Sequence, residues 1–383
     1  MNKKILLIVR RTSGEIDWIL PLLYKLKKNY EILTVFESYN IYADLRRNVQ
    51  LFKLWSNVTK KFYVRNFYDN FFLRFFLKFV NKFLNSYTKN IENFFYKKIF
   101  IIKILITKFN IDNIDEIKFL FHDSGGFTGW ITLFKKLDKR IIYYPHSTIK
   151  YSKIGAYAKN LYGDLMIVGT QDEQKIWNKF FNGRVVNSGH LKYSFQWLNK
   201  FNSTKKNNLK KKIIVLPMKD WINNLEKKKL KSILHDIFEI LNENSDKIIL
   251  YIKLSRKNYY SNYFFLKFIL AKYNFSYSFQ KESLLSLAKI SDLFLVFNDS
   301  SVAFDALVNK VIPIELWNKI PQISSTKKYT FQVSSKLDFK EILLKFFNNE
   351  LKKDLKKKYR MFSKDYLLKI HYKKVLNYFN IKI

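Results

Sequence analysis

Apolar residues fall in short runs along this chain, and the runs alternate with stretches of helical period. Lys4–Val9 is rich in Ile and Leu and stops at Arg10-Arg11-Thr12-Ser13-Gly14, after which apolar positions recur with helical spacing from Ile16 to Leu26. That pattern predicts strand, tight loop, helix. Tyr30–Phe36 predicts the next strand. The alternation returns with strands expected at Ile117–Phe121, Arg140–Tyr144, Leu165–Val168 and Arg184–Ser188, and helices at Phe127–Leu137 and Gln171–Phe181. The polar stretch Asn202–Asn208 reads as a linker. Beyond it the pattern restarts, with strands expected at Lys212–Leu216, Lys247–Leu254, Leu293–Phe297 and Val311–Glu315. The helices expected between them are Leu225–Asn242, Tyr263–Lys272, Leu284–Ala288 and Val302–Asn309. Repeated strand–helix–strand units call for parallel, doubly wound sheets, so the expected class is α/β.

At 383 residues the chain exceeds what one hydrophobic core organises. The expected division is a Rossmann-like domain over 1–200, a second over 201–337, and helices over 338–383 packing back towards the first domain. Between about 57 and 118 the alternation gives way to aromatic, basic segments that read as a helical insertion. Within it Phe72, Phe75, Phe76, Phe79 and Phe83 share one helix face and Arg74, Lys78 and Lys82 form a stripe. Such a helix suits a domain core or a membrane interface. The tail from about Asp338 to Phe379 is expected to be helical throughout. Two sheets joined by a linker predict two Rossmann-like domains facing a cleft, the usual place for a ligand.

Composition removes several chemistries. Cysteine is absent, which excludes disulfides, thiolate metal sites and a cysteine nucleophile. All nine glycines lie between Gly14 and Gly189, so the second domain has neither a Gly-x-Gly-x-x-Gly loop nor a P-loop. Lysines interrupt every apolar run well before the ~18 residues a membrane span requires, and Arg10-Arg11 ends the first run too soon for a signal peptide. The expected location is cytoplasmic, with peripheral attachment to the inner face of the membrane as an option. The net charge of +39, from 70 Lys and Arg against 31 Asp and Glu, has more than one account. Lys, Asn, Ile, Phe and Tyr are all abundant and all have codons built only from A and T, so genome composition is one. An anionic membrane surface is the second, and nucleic acid is the least expected partner.

The stretch Asn298-Asp299-Ser300-Ser301 sits between an expected strand and helix, where unpaired backbone N–H groups and two hydroxyls suit a phosphate. Asp305 follows on the same helix face, where a carboxylate can meet ribose hydroxyls. The alternative is that Ser300 or Asp299 caps the helix and Asp305 answers its dipole. His122 and His146 fall at carboxyl ends of expected strands, where ligands gather in such sheets, and His190 lies in a loop near the domain boundary. His235 and His371 read as structural. No histidine–carboxylate spacing suggests a metal site, so neither a metal nor any cofactor is expected.

These residues carry a resemblance. Ala288–Ile314 resembles the donor-binding segment of GT-B-fold glycosyltransferases, in which the paired-serine turn holds donor phosphate and an acid holds sugar or ribose. Asp305 stands where glutamate is commoner, and Asn309-Lys310 replaces a glycine-containing turn. Arg11-Thr12-Ser13-Gly14-Glu15 and the following Trp18–Leu23 resemble the first loop and helix of Kdo transferase-like enzymes, which implies that Ser13, Gly14 and Glu15 face the acceptor. Tyr144-Pro145-His146-Ser147 resembles the proline–histidine–glycine turn of capsule-type transferases. Lys253-Leu254-Ser255-Arg256 stands where relatives have a lysine–x–histidine–proline turn, and Lys253 and Arg256 can still neutralise phosphate. The related sugar-nucleotide 2-epimerases carry a Ser-Gly-Gly turn followed by paired glutamates, and neither is present.

The resemblance implies metal-independent transfer of a sugar from a nucleotide-sugar donor to a surface glycan or lipid-linked acceptor. Glu15 is the implied base, with His146 as substitute. Lys253, Arg256, Asp299, Ser300, Ser301 and Asp305 are implied on the donor side, and Ser13, Gly14, His122 and His190 on the acceptor side. Other readings are a CDP-glycerol-type polymer transferase, an epimerase-like enzyme, or a non-catalytic protein that binds a polyanion or membrane on the same fold.

Overall fold

The computed structural model describes all residues except 1–2, 11–13, 66–100, 112, 124–128, 145–160, 202–209, 219–226, 255–258, 298–300, 317–325, 369 and 382–383. The chain divides into one unit of Met1–Ser194 with Lys369–Ile383 and another of Phe195–Leu368. Of the segment 338–383, the part up to Leu368 therefore belongs to the second unit and the remainder to the first.

In the first unit β1 (Lys4–Val9) leads through α1 (Gly14–Leu26) to β2 (Glu31–Phe36), then α2 (Tyr39–Arg47), α3 (Val49–Ser56) and β3 (Thr59–Val64). β4 (Ile117–Asp123), α4 (Gly129–Lys136), β5 (Arg140–Tyr144), β6 (Leu165–Val168), α5 (Gln171–Trp177) and β7 (Arg184–Asn187) complete it. Its seven strands lie in the order β3-β2-β1-β4-β5-β6-β7, every pairing parallel. β1 is buried on both faces, which is why it reads as a continuous apolar run rather than an alternating one.

The insertion expected to be helical over about 57–118 needs correction, because Thr59–Val64 is a strand. Its positions are partly or fully exposed apart from the buried Tyr63, and it ends the sheet, so it never forms the apolar run that marks a central strand. Its place is fixed by polar contacts: Thr34 Oγ1 lies 2.8 Å from Thr59 Oγ1, and Trp55 Nε1 donates to Thr34 Oγ1 at 3.3 Å. The aromatic face expected over 72–83 lies outside the described residues, while 101–109 is helical and buries Ile101, Ile104, Leu105 and Phe109 in the core.

The second unit repeats the plan with β8 (Lys212–Met218), α6 (Lys227–Asn242), β9 (Ile248–Leu254), α7 (Tyr259–Leu270) and β10 (Ser276–Phe279). Then come α8 (Leu284–Ile290), β11 (Leu293–Phe297), α9 (Val302–Leu307), β12 (Ile312–Leu316), β13 (Phe331–Val333), α10 (Lys336–Phe347) and α11 (Lys352–Phe362). The order is β10-β9-β8-β11-β12-β13, again parallel throughout. Two buried clusters line its faces, one joining α6, α7 and α10 to the sheet and the other seating α8 and α9. After α9 the turn uses Lys310 at φ 58°, a left-handed conformation that costs a non-glycine residue roughly 1–2 kcal/mol.

The C-terminal tail is helical, with two breaks. Asn349, at φ 63°, separates α10 from α11, and His371 is extended before α12 (Tyr372–Leu376) returns to the first unit. There Val375, Leu376 and Phe379 are buried, with the Phe379 ring stacked on Phe121 and edge-on to Phe119. Among the described residues no helix is long and apolar enough to cross a membrane.

Candidate active site

Both sheets reverse their winding once. In the first, the chain steps outward from β1 to β3 and then resumes on the other side of β1 with β4; in the second, the reversal falls between β8 and β11. Connections then leave the carboxyl ends of the two adjacent strands in opposite directions and open a crevice, which is where open α/β sheets bind ligands.

The first crevice is flanked by an interlocked group of buried ionisable side chains. Arg10 follows β1, and its backbone N–H donates to Glu15 Oε2 at 3.0 Å. Its Nη1 lies 3.3 Å from Asp123 Oδ1 at the end of β4. Glu15, His122 and Asp123 are each 0% exposed. Two carboxylates so enclosed require fixed donors, and Arg10 supplies one to each. His122 Nδ1 lies 2.8 Å from the Asp123 carbonyl oxygen, which only accepts, so this nitrogen carries the proton. Burial pulls the imidazole down to about 4 against the opposing pull of Asp123, which keeps it neutral at pH 7. Tyr144, at the end of β5, donates to the Ile8 carbonyl at 3.2 Å. Burial, then the charges of Glu15 and Asp123, hold its phenol protonated.

A second knot ties the neighbouring strand ends. Glu37, just after β2, accepts from Trp130 Nε1 at 2.6 Å and pairs with Arg65 Nη1 at 3.0 Å. Further along the edge, Glu173 and Thr170 form a capping box at the start of α5. His190 is 1% exposed, edge-on to Trp18 at 4.9 Å between ring centroids, and held near neutrality of charge by burial, which lowers its pKa to about 3. It also fixes the identity of Gly169, where a Cβ would fall 1.9 Å from the His190 ring. Gly189 adopts φ 71° immediately before it. His190 thus packs inside the first unit, whereas Glu15 and His122 stand at the reversal.

In the second unit the reversal lies beside β11, and the described chain resumes at Ser301. Ser301 immediately precedes α9 and makes no capping bond with its side chain, while Asp305 on that helix is 3% exposed. Lys253, near the end of β9, donates from Nζ to the Lys281 carbonyl at 2.8 Å. Ser13, His146, Arg256, Asp299 and Ser300 lie outside the described residues; Gly14 opens α1. One strand beyond the reversal, Glu315 is 0% exposed, and its Oε2 accepts from Thr326 Oγ1, Thr330 Oγ1 and Gln332 Nε2 at 3.2, 3.0 and 3.0 Å.

Arg10, Glu37, Arg65, Asp123, Tyr144 and Glu315 were not legible as site residues from the sequence. The available signal was position, since most of them occupy the last residue of a strand or the one just after it. Among the described residues no three His, Asp or Glu side chains are grouped so as to hold a metal ion.

No family model matches the sequence, and no curated protein sequence is significantly similar to it. Solved structures are. The Methanocaldococcus jannaschii UDP-GlcNAc 2-epimerase in complex with UDP-GlcNAc and UDP superposes with a TM-score of 0.57 at 16% identity, covering 90% of this chain and 93% of that one. A glycosyltransferase from Rickettsia africae ESF-5 gives 0.57 at 13% identity, over 99% and 98%. Anabaena Alr3699/HepE in complex with UDP-glucose gives 0.59 at 8% identity, over 99% and 100%. The chain has the GT-B fold. At such identities the likeness concerns the fold, and it extends over both sheets of the GT-B chain. The chemistry has to be argued from the residues at the two reversals.

Proposed function

We propose that this GT-B protein is a glycosyltransferase that moves a sugar from a nucleotide-sugar donor to a surface glycan or lipid-linked acceptor, with neither metal nor cofactor. The observation that carries the reading is the fully buried Glu15 at the first reversal, fixed by the Arg10 N–H beside the Arg10–Asp123 pair. An acceptor hydroxyl attacking an anomeric carbon loses its proton as the bond forms, and a positioned carboxylate takes it. Glu15 is assigned that role, and His146 is the substitute. Ser13, Gly14, His122 and His190 are assigned to the acceptor side by contact or support. The donor phosphates are assigned to Ser300 and Ser301 with Lys253 and Arg256, the sugar or ribose to Asp305, and Asp299 to the same donor side. The enzyme is placed in the cytoplasm, where nucleotide sugars are made, and at the inner membrane face, where a lipid-linked acceptor would lie.

A second reading, a UDP-sugar 2-epimerase, draws support from the whole-length likeness to the Methanocaldococcus enzyme. Against it, the sequence Asn298-Asp299-Ser300-Ser301 has no glycine, and a lone Asp305 stands where the resemblance would call for paired glutamates. Incubation with UDP-sugars under proton NMR separates the two. Acceptor-dependent release of UDP supports transfer, while conversion of UDP-GlcNAc into its 2-epimer without acceptor replaces transfer by epimerisation. Failure of UDP, GDP, CMP and CDP alike to raise the melting temperature would remove both.

A further inference from the structure

The helix α7, Tyr259–Leu270, is apolar on both sides, yet the sheet covers only one. Asn262, Leu266, Ile269 and Leu270 face the core of the second unit and are buried. On the opposite side Tyr260, Phe264 and Phe268, spaced i, i+4, i+8, are 65%, 66% and 66% exposed. A helix hydrophobic all round is normally enclosed all round, whereas this outer stripe is exposed.

The charges around the stripe identify what covers it. α7 contains no acidic residue, and Lys267 lies within its outer face. Lys231 on the adjacent α6 sets its ammonium 5.8 Å from the centre of the Phe268 ring. The carboxylates of Glu239 on α6 and of Glu243 just after it are engaged instead by Lys336 and Lys340 of α10, on its other flank. A second copy of the chain pairing about a two-fold axis would bring these lysines against their own counterparts. Aromatic side chains that enter an acyl boundary, with lysines beside them for anionic headgroups, fit a lipid surface.

We propose that the outer face of α7 is a membrane-docking surface for anionic lipid, with Tyr260, Phe264 and Phe268 inserted at the interface and Lys231 and Lys267 on the headgroups. The inference rests on α7 and its neighbour alone and is independent of the reaction catalysed. The full-length protein is sedimented with phosphatidylcholine vesicles with or without phosphatidylglycerol. The expected result is binding to the anionic vesicles only, reduced about tenfold or more by Phe264→Ser with Phe268→Ser, and abolished by Lys231→Glu with Lys267→Glu. These side chains are exposed, so the circular dichroism and melting of both variants should match the parent, as should nucleotide binding. No vesicle binding by the parent, or parent-like binding by both variants, overturns the proposal. So does a concentration-dependent dimer in sedimentation velocity that Phe264→Ser with Phe268→Ser dissolves, since the face would then be a self-interface.

Discussion

Glu15→Gln leaves an oxygen to accept from the Arg10 N–H, at 3.0 Å in the parent, but removes the proton-accepting charge. The variant is expected to fold and to bind nucleotide normally while transfer falls by about two to four orders of magnitude, the usual size of a general-base contribution. Steady-state rates together with a nucleotide titration check this; near-normal turnover, alongside collapse in His146→Ala, moves the role to the histidine. A second residue-scale consequence concerns pH. His122 and His190 both ionise near 6.5 when unfolded, but only near 4 and 3 inside the fold, because burial disfavours the imidazolium. Below pH 6.5 the unfolded chain takes up protons that the folded chain refuses, so stability is full above that pH and is lost towards 4 and 3. Each pKa unit corresponds to about 1.4 kcal/mol, so the shifts to about 4 and about 3 make His122 worth on the order of 3 kcal/mol and His190 on the order of 5 kcal/mol across their windows. Urea midpoints should fall from pH 7 to pH 5, and His190→Leu should flatten that slope; an unchanged slope assigns the acid sensitivity elsewhere.

At the scale of elements, the strands that were missed share a property. β3, β10 and β13 are all edge strands, β3 and β10 largely solvated and β13 only three residues long, whereas most of the strands read correctly from the sequence are interior ones. An interior strand in a parallel sheet is apolar on both faces and announces itself; an edge strand is half solvated and reads as loop or helix. The C-terminal segment gives the prediction that belongs here. Phe379 is 3% exposed and reaches Tyr30, Phe119 and Phe121 across the first sheet. Phe379→Ala should cost about 3–5 kcal/mol, as for large aromatic truncations in a core. Thermal melting followed by near-ultraviolet circular dichroism measures the loss, and a change within error would mean that the last helix only rests on the first unit.

On the scale of the whole molecule, each unit has its own reversal, its own core and its own candidate residues. A nucleotide held by the second unit should therefore raise its stability through binding linkage alone. Ser300→Ala with Ser301→Ala is expected to remove about 1.5–3 kcal/mol of nucleotide affinity, the size of hydrogen bonds to a charged group. A measured melting temperature of the double variant without ligand separates lost binding from lost folding. Calorimetric titration with UDP tests this, and an unchanged affinity in a folded variant would place the phosphates elsewhere.

The sequence by itself determined the class and most of the order of elements, because short two-sided apolar runs alternating with helical periods permit little but parallel α/β sheets. It also marked Glu15, His122 and Ser301 as residues beside strand ends. It did not carry the strand order, since β1 next to β4 and β8 next to β11 are pairings between distant segments that leave no local pattern. That order decides that Arg10 meets Asp123, separated in sequence by 113 positions, and that Glu15 and His122 stand at one crevice. Burial was likewise decided by the tertiary structure. The polarity of His190 gives no sign that its ring is enclosed by Trp18 and Gly169, nor does the apolar character of α7 say which of its faces stays open, because enclosure is a property of neighbours brought together by folding.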